Sequence, residues 1–126
     1  MTGEEIFRRA CAYLAGSPEE NEDLKPAALE WLNALLAEAL PYEQAYCRVM
    51  GLPVPERAPA LTDLSQEVEM CQDILGIALP YGVASYLFLE DEQNSWASSF
   101  RNRFIAALQE AAPAVFEQVR DVYREG

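Results

Sequence analysis

Histidine is absent from this chain of 126 residues. That removes the commonest general base near neutral pH and the commonest transition-metal ligand together. Cysteine is scarce: Cys11, Cys47 and Cys71 are odd in number, far apart and never in a C-x-x-C pair. The pattern argues against a disulfide frame or a zinc site and for buried thiols in a reducing compartment. Basic residues are few as well, nine Lys and Arg against 21 acids, for a net charge of −12. Between Ala58 and Phe100 there is no Lys or Arg at all. A phosphate grip works by neutralising charge with Lys and Arg, so sequence-specific nucleic-acid binding is not expected, and anionic lipid surfaces should be repelled.

No membrane span is expected either. A bilayer crossing needs about 20 apolar residues. The best candidate, Ile74–Leu89, offers sixteen uncharged residues, broken by Gly76, Pro80, Gly82 and Ser85, with no flanking cation. The N-terminal "MTGEEIFRRACAYL" carries acids first and lacks the basic and long apolar regions of a signal peptide, so the expected location is cytoplasmic. No nucleophile elbow, phosphate loop, dinucleotide fingerprint or metal-ligand cluster appears.

What is present is helical patterning. With 51% hydrophobic residues the chain can bury a modest core as one domain. Thr2 and Glu5 form a capping-box pair, followed by Ile6, Phe7, Ala10, Cys11 and Leu14 at helical spacing, with Gly16 placed to end the helix. The polar "SPEENEDLKP" reads as a loop, and Pro26 suits a first helical turn. Beyond it Leu29, Leu32, Leu35, Leu36 and Leu40 give an apolar face flanked by Trp31. After Pro41 the pattern continues through Tyr42, Ala45, Tyr46, Val49 and Met50. A kinked helix and two angled helices both fit. Residues 51–63, with Pro53, Pro55 and Pro59, form a proline-rich loop.

The next helix is expected to start near Asp63 or Ser65 and to run, with a break, through Ile74–Glu92. A hairpin around Pro80 would need alternation, whereas Leu75, Leu79, Val83, Tyr86, Leu87 and Glu90 keep helical spacing. The reading is a buried helix bent at Pro80, with Gly76, Ala78, Gly82 and Ala84 admitting close neighbours. Glu90, Asp91 and Glu92 form its solvated end. Trp96, Phe100 and Phe104 then lie at i, i+4, i+8 of a further helix, widened by Ile105, Leu108 and Ala111 and stopped by Pro113. That stripe suits core packing first and a partner groove second. Residues 113–126 suit a short helix or an extended arm. The whole is a single all-α domain of four to five helices, two of them bent at proline.

Two carboxylate sets are the only candidates for acid–base or cation chemistry: Glu69 with Asp73, and Glu90–Glu92. Both fall in stretches expected to face water, so no catalytic, cofactor or metal residue is assigned. The tetrapeptide ALPY occurs at 39–42 and 78–81, but only Ala45 and Ala84 align beyond it, so a repeat is not inferred.

The order of features resembles small helical head–tail connector proteins of tailed bacteriophages and prophages. The carriers are Leu61-Thr62-Asp63-Leu64, Leu79-Pro80-Tyr81-Gly82, Glu90-Asp91-Glu92, Phe100 to Phe104, and Asp121-Val122-Tyr123. The likeness spans most of the chain through short motifs. It implies a structural, non-enzymatic virion subunit that stands as a ring beneath the portal, extends the DNA channel and meets tail proteins. It also implies a C-terminal arm that grips neighbours. That would make Val115, Phe116, Asp121, Val122 and Tyr123 interaction residues, together with Glu90, Asp91 and Glu92. Here Arg-Glu-Gly follows Tyr123 where a glycine is more usual. An acidic channel wall would let DNA slide without sticking. The alternative is a small acidic helical module for protein–protein interaction, with no catalytic activity.

Overall fold

A computed structural model describes residues 1–112. The stretch 113–126, which carries the arm expectation and Val115, Phe116, Asp121, Val122 and Tyr123, lies outside the described residues. The described chain is all-α. Helices α1 (Gly3–Ala12), α2 (Lys25–Met50), α3 (Leu79–Glu90) and α4 (Asn94–Ala111) are joined by a 3-10 turn at Glu22–Leu24 and a π-helical segment at Ile74–Ala78. Among the described residues no helix is long and apolar enough to cross a membrane.

Helix α1 starts where the capping box places it. Thr2 is extended, and its Oγ accepts the Glu5 N–H at 3.1 Å. Ile6, Phe7, Ala10 and Cys11 are buried along one face. Its end differs from expectation: the helix stops at Ala12, and the left-handed residue is Ala15 (φ 56), one before Gly16. The Gly16 N–H then reaches back to the Cys11 carbonyl at 3.0 Å.

Helix α2 is one uninterrupted element across Pro41, closed by left-handed Gly51 (φ 69). The oxygen that Pro41 leaves without a donor belongs to Ala37, which faces solvent and can be satisfied there. Past the proline, Tyr42 and Tyr46 pack half-buried against the core as their spacing suggested, but the fully buried stripe follows Ala39, Glu43 and Cys47, and Val49 and Met50 are exposed.

The proline-rich loop is present, but no helix starts at Asp63 or Ser65; helical backbone begins at Gln72. Local side-chain bonds compete with helix there. Gln66 Oε1 accepts the N–H groups of Thr62 and Asp63, at 2.7 and 2.9 Å, and Asp63 Oδ1 accepts that of Ser65 at 2.7 Å. The turn so formed serves α1. The Leu64 and Gln66 carbonyls accept the Glu4 and Gly3 N–H groups, and the Met1 carbonyl accepts the Val68 N–H. The bonds from Gly3 and Glu4 satisfy amides that any helix start leaves open.

Helix α3 is the centre of the molecule, packed on α4, α1 and α2. It is buried nearly all round, from Leu79 through Phe88. Pro80 lies in its first turn, directly after the π segment, where a missing N–H is tolerated. Gly82 allows the close approach that small residues promised. A β-carbon there would stand 2.8 and 2.9 Å from the Leu35 methyls and 3.1 Å from the Phe104 ring. In α4, Phe100 and Phe104 are core, whereas Trp96 is half exposed and Ile105 faces outward.

Candidate functional site

A cleft of about 800 Å³ lies where the end of α1 and the loop to α2 face the corner between α3 and α4. The end of α1 creates one wall: residues 13–15 tighten into turns bonded three residues back, Ala15 turns left-handed, and Tyr13 and Leu14 line the cleft. The opposite wall is the α3–α4 corner. There α3 ends at Glu90, Glu92 adopts φ 57, and α4 restarts at Asn94.

Its floor is aromatic. Phe100 lies 5.1 Å from both Tyr13 and Phe88, between ring centroids, and Phe88 stacks on Trp96 at 6.0 Å. Tyr81 closes the cluster from behind, 5.3 Å from Tyr13. Burial, and after it the neighbouring Tyr81, push the Tyr13 phenol above the usual tyrosine range.

The rim is acidic. Glu20, Asp23, Glu90 and Asp91 line the cleft, and no Lys or Arg does so among the described residues. Glu20 accepts from the Ser17 hydroxyl at 3.2 Å, and Asp91 from the Gln93 amide. The structure thus brings two of the sequence's candidates, Glu90 and Asp91, together with Trp96 and Phe100 in one cleft. Glu92 is exposed beside them. The contribution of Tyr13, Glu20 and Asp23 was not legible in sequence, since it depends on where the α1 end lands in space.

Glu69 and Asp73 do not share a helix face, because Glu69 precedes the helical start at Gln72. Both are exposed, as the sequence suggested. Among the described residues there is no group of three or more His, Cys, Asp or Glu placed to hold a metal ion.

A second polar constellation is structural. Glu43, 7% exposed, sits on the buried stripe of α2. Its Oε2 accepts the Cys71 N–H at 2.8 Å, and its Oε1 accepts the Cys47 thiol at 3.4 Å. Burial, then the Glu43 contact, raise the Cys47 thiol, and burial likewise raises Cys11. All three cysteines are free and buried, so neither raised thiol suits a nucleophile. Further up α2, Asn33 makes a two-way clamp on Leu61, donating to its carbonyl at 2.9 Å and accepting its N–H at 2.8 Å. Gln44 donates to the Pro55 carbonyl at 2.9 Å. These α2 side chains hold a proline-rich segment that has no ladder or helix of its own to bond with.

No protein-family model, no curated protein and no solved structure matches this chain.

Proposed function

We propose that the protein is a non-catalytic assembly subunit of the bacteriophage head–tail connector class, acting by protein–protein contact at the portal–tail junction. The observation that carries this reading is where the resembling motifs sit. Leu61 and Leu64 are buried in the turn that serves the α1 start. Leu79, Pro80 and Gly82 form the buried opening of α3, and Phe100 and Phe104 the core face of α4. An exposed apolar stretch, Val49, Met50, Leu52 and Val54, supplies surface of the kind that subunit contacts cover. The net charge of −12 suits a channel lining that does not hold DNA.

The acidic aromatic cleft favours a broader second reading, a helical module that binds a partner protein outside any virion. Light scattering and negative-stain imaging, of the chain alone and mixed with a portal ring, separate the two. The connector reading expects ring-shaped density, alone or on the portal. A chain that stays monomeric in both settings removes that reading and leaves the module.

A further inference from the structure

We infer that the cleft between the α1 end and the α3–α4 corner takes an arginine side chain from a basic segment of a partner protein. The inference rests on the protein-binding reading common to both proposals above and does not depend on the connector class.

Charge complementarity is the first argument. Four carboxylates rim one concavity, and among the described residues no Lys or Arg lines it. The ion pairs among the described residues are Met1 with Glu67, Lys25 with Glu4 and Glu22, and Arg101 with Glu38. All four cleft carboxylates stand outside them. Lys25, next in sequence to the cleft wall, is already engaged by Glu4 at 2.7 Å and Glu22 at 3.0 Å.

The floor supplies the second argument. Two large rings are left open to solvent over a buried aromatic layer: Trp96 is 52% and Tyr13 43% exposed, against 6% for Phe88 and 4% for Phe100. An indole face is the best side-chain host for a cation. The molecule itself demonstrates the pairing on the same cluster, because the Arg103 guanidinium lies 4.6 Å from the Phe100 ring centroid. Arg101 repeats it on Phe104 at 5.1 Å, one turn further along α4. Among the described residues no Lys or Arg lies over the two open rings, Tyr13 and Trp96, which stand in the same cleft as the four carboxylates.

Arginine fits this site better than lysine. A guanidinium is planar, stacks on aromatic faces and meets carboxylates through paired N–H donors, whereas an ammonium is a strongly hydrated point charge. A nucleic acid would meet the same rim as like charge.

The test is a nuclear magnetic resonance titration of the full chain with an amidated nine-residue peptide of alternating arginine and glycine. Shift changes are expected at Tyr13, Glu90, Asp91 and the Trp96 indole N–H, with affinity falling as salt rises. Glu90→Gln with Asp91→Asn should weaken binding about tenfold, and Trp96→Ala by a similar factor. Glu69→Gln with Asp73→Asn removes the same charge elsewhere and should leave affinity nearly unchanged. The exposed Glu90 and Asp91 positions keep the test valid if the Trp96 variant does not fold. Equal weakening by the two double variants, shifts spread over the acidic surface, or no binding would overturn the inference. Equal affinity for a lysine version of the peptide, or for spermidine, would overturn the assignment to a guanidinium. A ring on a portal without peptide binding sinks this inference alone, and peptide binding without a ring sinks the connector reading alone.

Discussion

Arg9 Nη1 donates to the Gly76 carbonyl oxygen at 3.1 Å, the oxygen that an amide at position 80 would address in a regular helix and that Pro80 cannot. A charged side chain on α1 thereby serves the backbone gap made by a proline at the α3 start. Gly76 lies in the π segment Ile74–Ala78, and its missing β-carbon, which would stand 3.0 Å from Arg9 Nη1, leaves room for the guanidinium. Removing the donor by Arg9→Met should destabilise the fold by about 1 kcal/mol, the usual net worth of one such bond. In a Pro80→Ala background the same change should cost less, because the new amide competes for the oxygen. A double-mutant cycle by urea denaturation reads the coupling. Strictly additive effects would mean that the bond does not compensate for the proline.

Gly82 sets the distance between α3 and its neighbours. Alanine there gains helix propensity of about 1 kcal/mol but forces overpacking that typically costs about 1–3 kcal/mol. Leu35 is fully buried and its methyls would lie at 2.8 and 2.9 Å, so the packing term should win. Gly82→Ala is expected to lower the thermal midpoint, and Leu35→Val in the same chain to recover part of the loss. A midpoint that rises on Gly82→Ala alone would show that the core gives way.

The periodic elements were legible in sequence for a physical reason: an amphipathic helix writes its buried face as a spacing. Thr2 with Glu5, Phe100 with Phe104, and the uncharged run closing at Glu90 were all readable in that way. Two features were not. The stretch from Leu61 to Met70 carries helix-compatible residues, yet Gln66 and Asp63 bond their own backbone and turn it into a brace for α1. In α2, periodicity past Pro41 favoured Tyr42, Ala45 and Tyr46, because an acid at 43 reads as surface. The Cys71 amide, 28 residues on, and the Cys47 thiol are the partners that let Glu43 face inward. The cleft was half visible: Glu90 and Asp91 stood out as a charge run, whereas the α1 wall emerges only from tertiary placement.

Stability should fall at both ends of the pH range through identifiable pairs. The Arg101 guanidinium, hydrogen-bonded to Glu38, holds that carboxyl below its ordinary 4.5. A lowered folded value means the contribution is present above pH 4.5 and lost as pH falls through the folded value. Both partners are more than one-third exposed, 37% and 41%, so the pair is worth at most about 1 kcal/mol. Glu38→Gln should therefore lower stability slightly at pH 7 and match the parent in strong acid. At the alkaline end, hydrogen bonds to Glu4 and then Glu22 push Lys25 up to about 12 from 10.5. Its contribution is complete below 10.5 and disappears as pH rises through about 12. The Tyr13 phenol, raised by burial, adds a loss in the same direction above its ordinary 10.0. Denaturation midpoints across pH, compared for the parent, Glu38→Gln, Lys25→Ala and Tyr13→Phe, check each assignment.

Glu43 fastens the chain just before the π segment to the far half of α2, so its loss should loosen a region rather than a bond. Glu43→Ala strands the buried Cys71 N–H and removes the acceptor of the Cys47 thiol, at an expected cost of about 1–3 kcal/mol. Glu43→Gln keeps an acceptor oxygen for the Cys71 amide and should lose less. The three thiols report the difference directly. All are buried and free, and burial raises Cys11 and Cys47, so the parent should react with iodoacetamide only through opening of the fold. In Glu43→Ala, Cys47 and Cys71 should become reactive in mild denaturant while Cys11, held in the α1 core, stays protected. Uniform acceleration at all three would mean that Glu43 supports global stability only. An unchanged labelling pattern would mean that the carboxyl does not hold this segment in place.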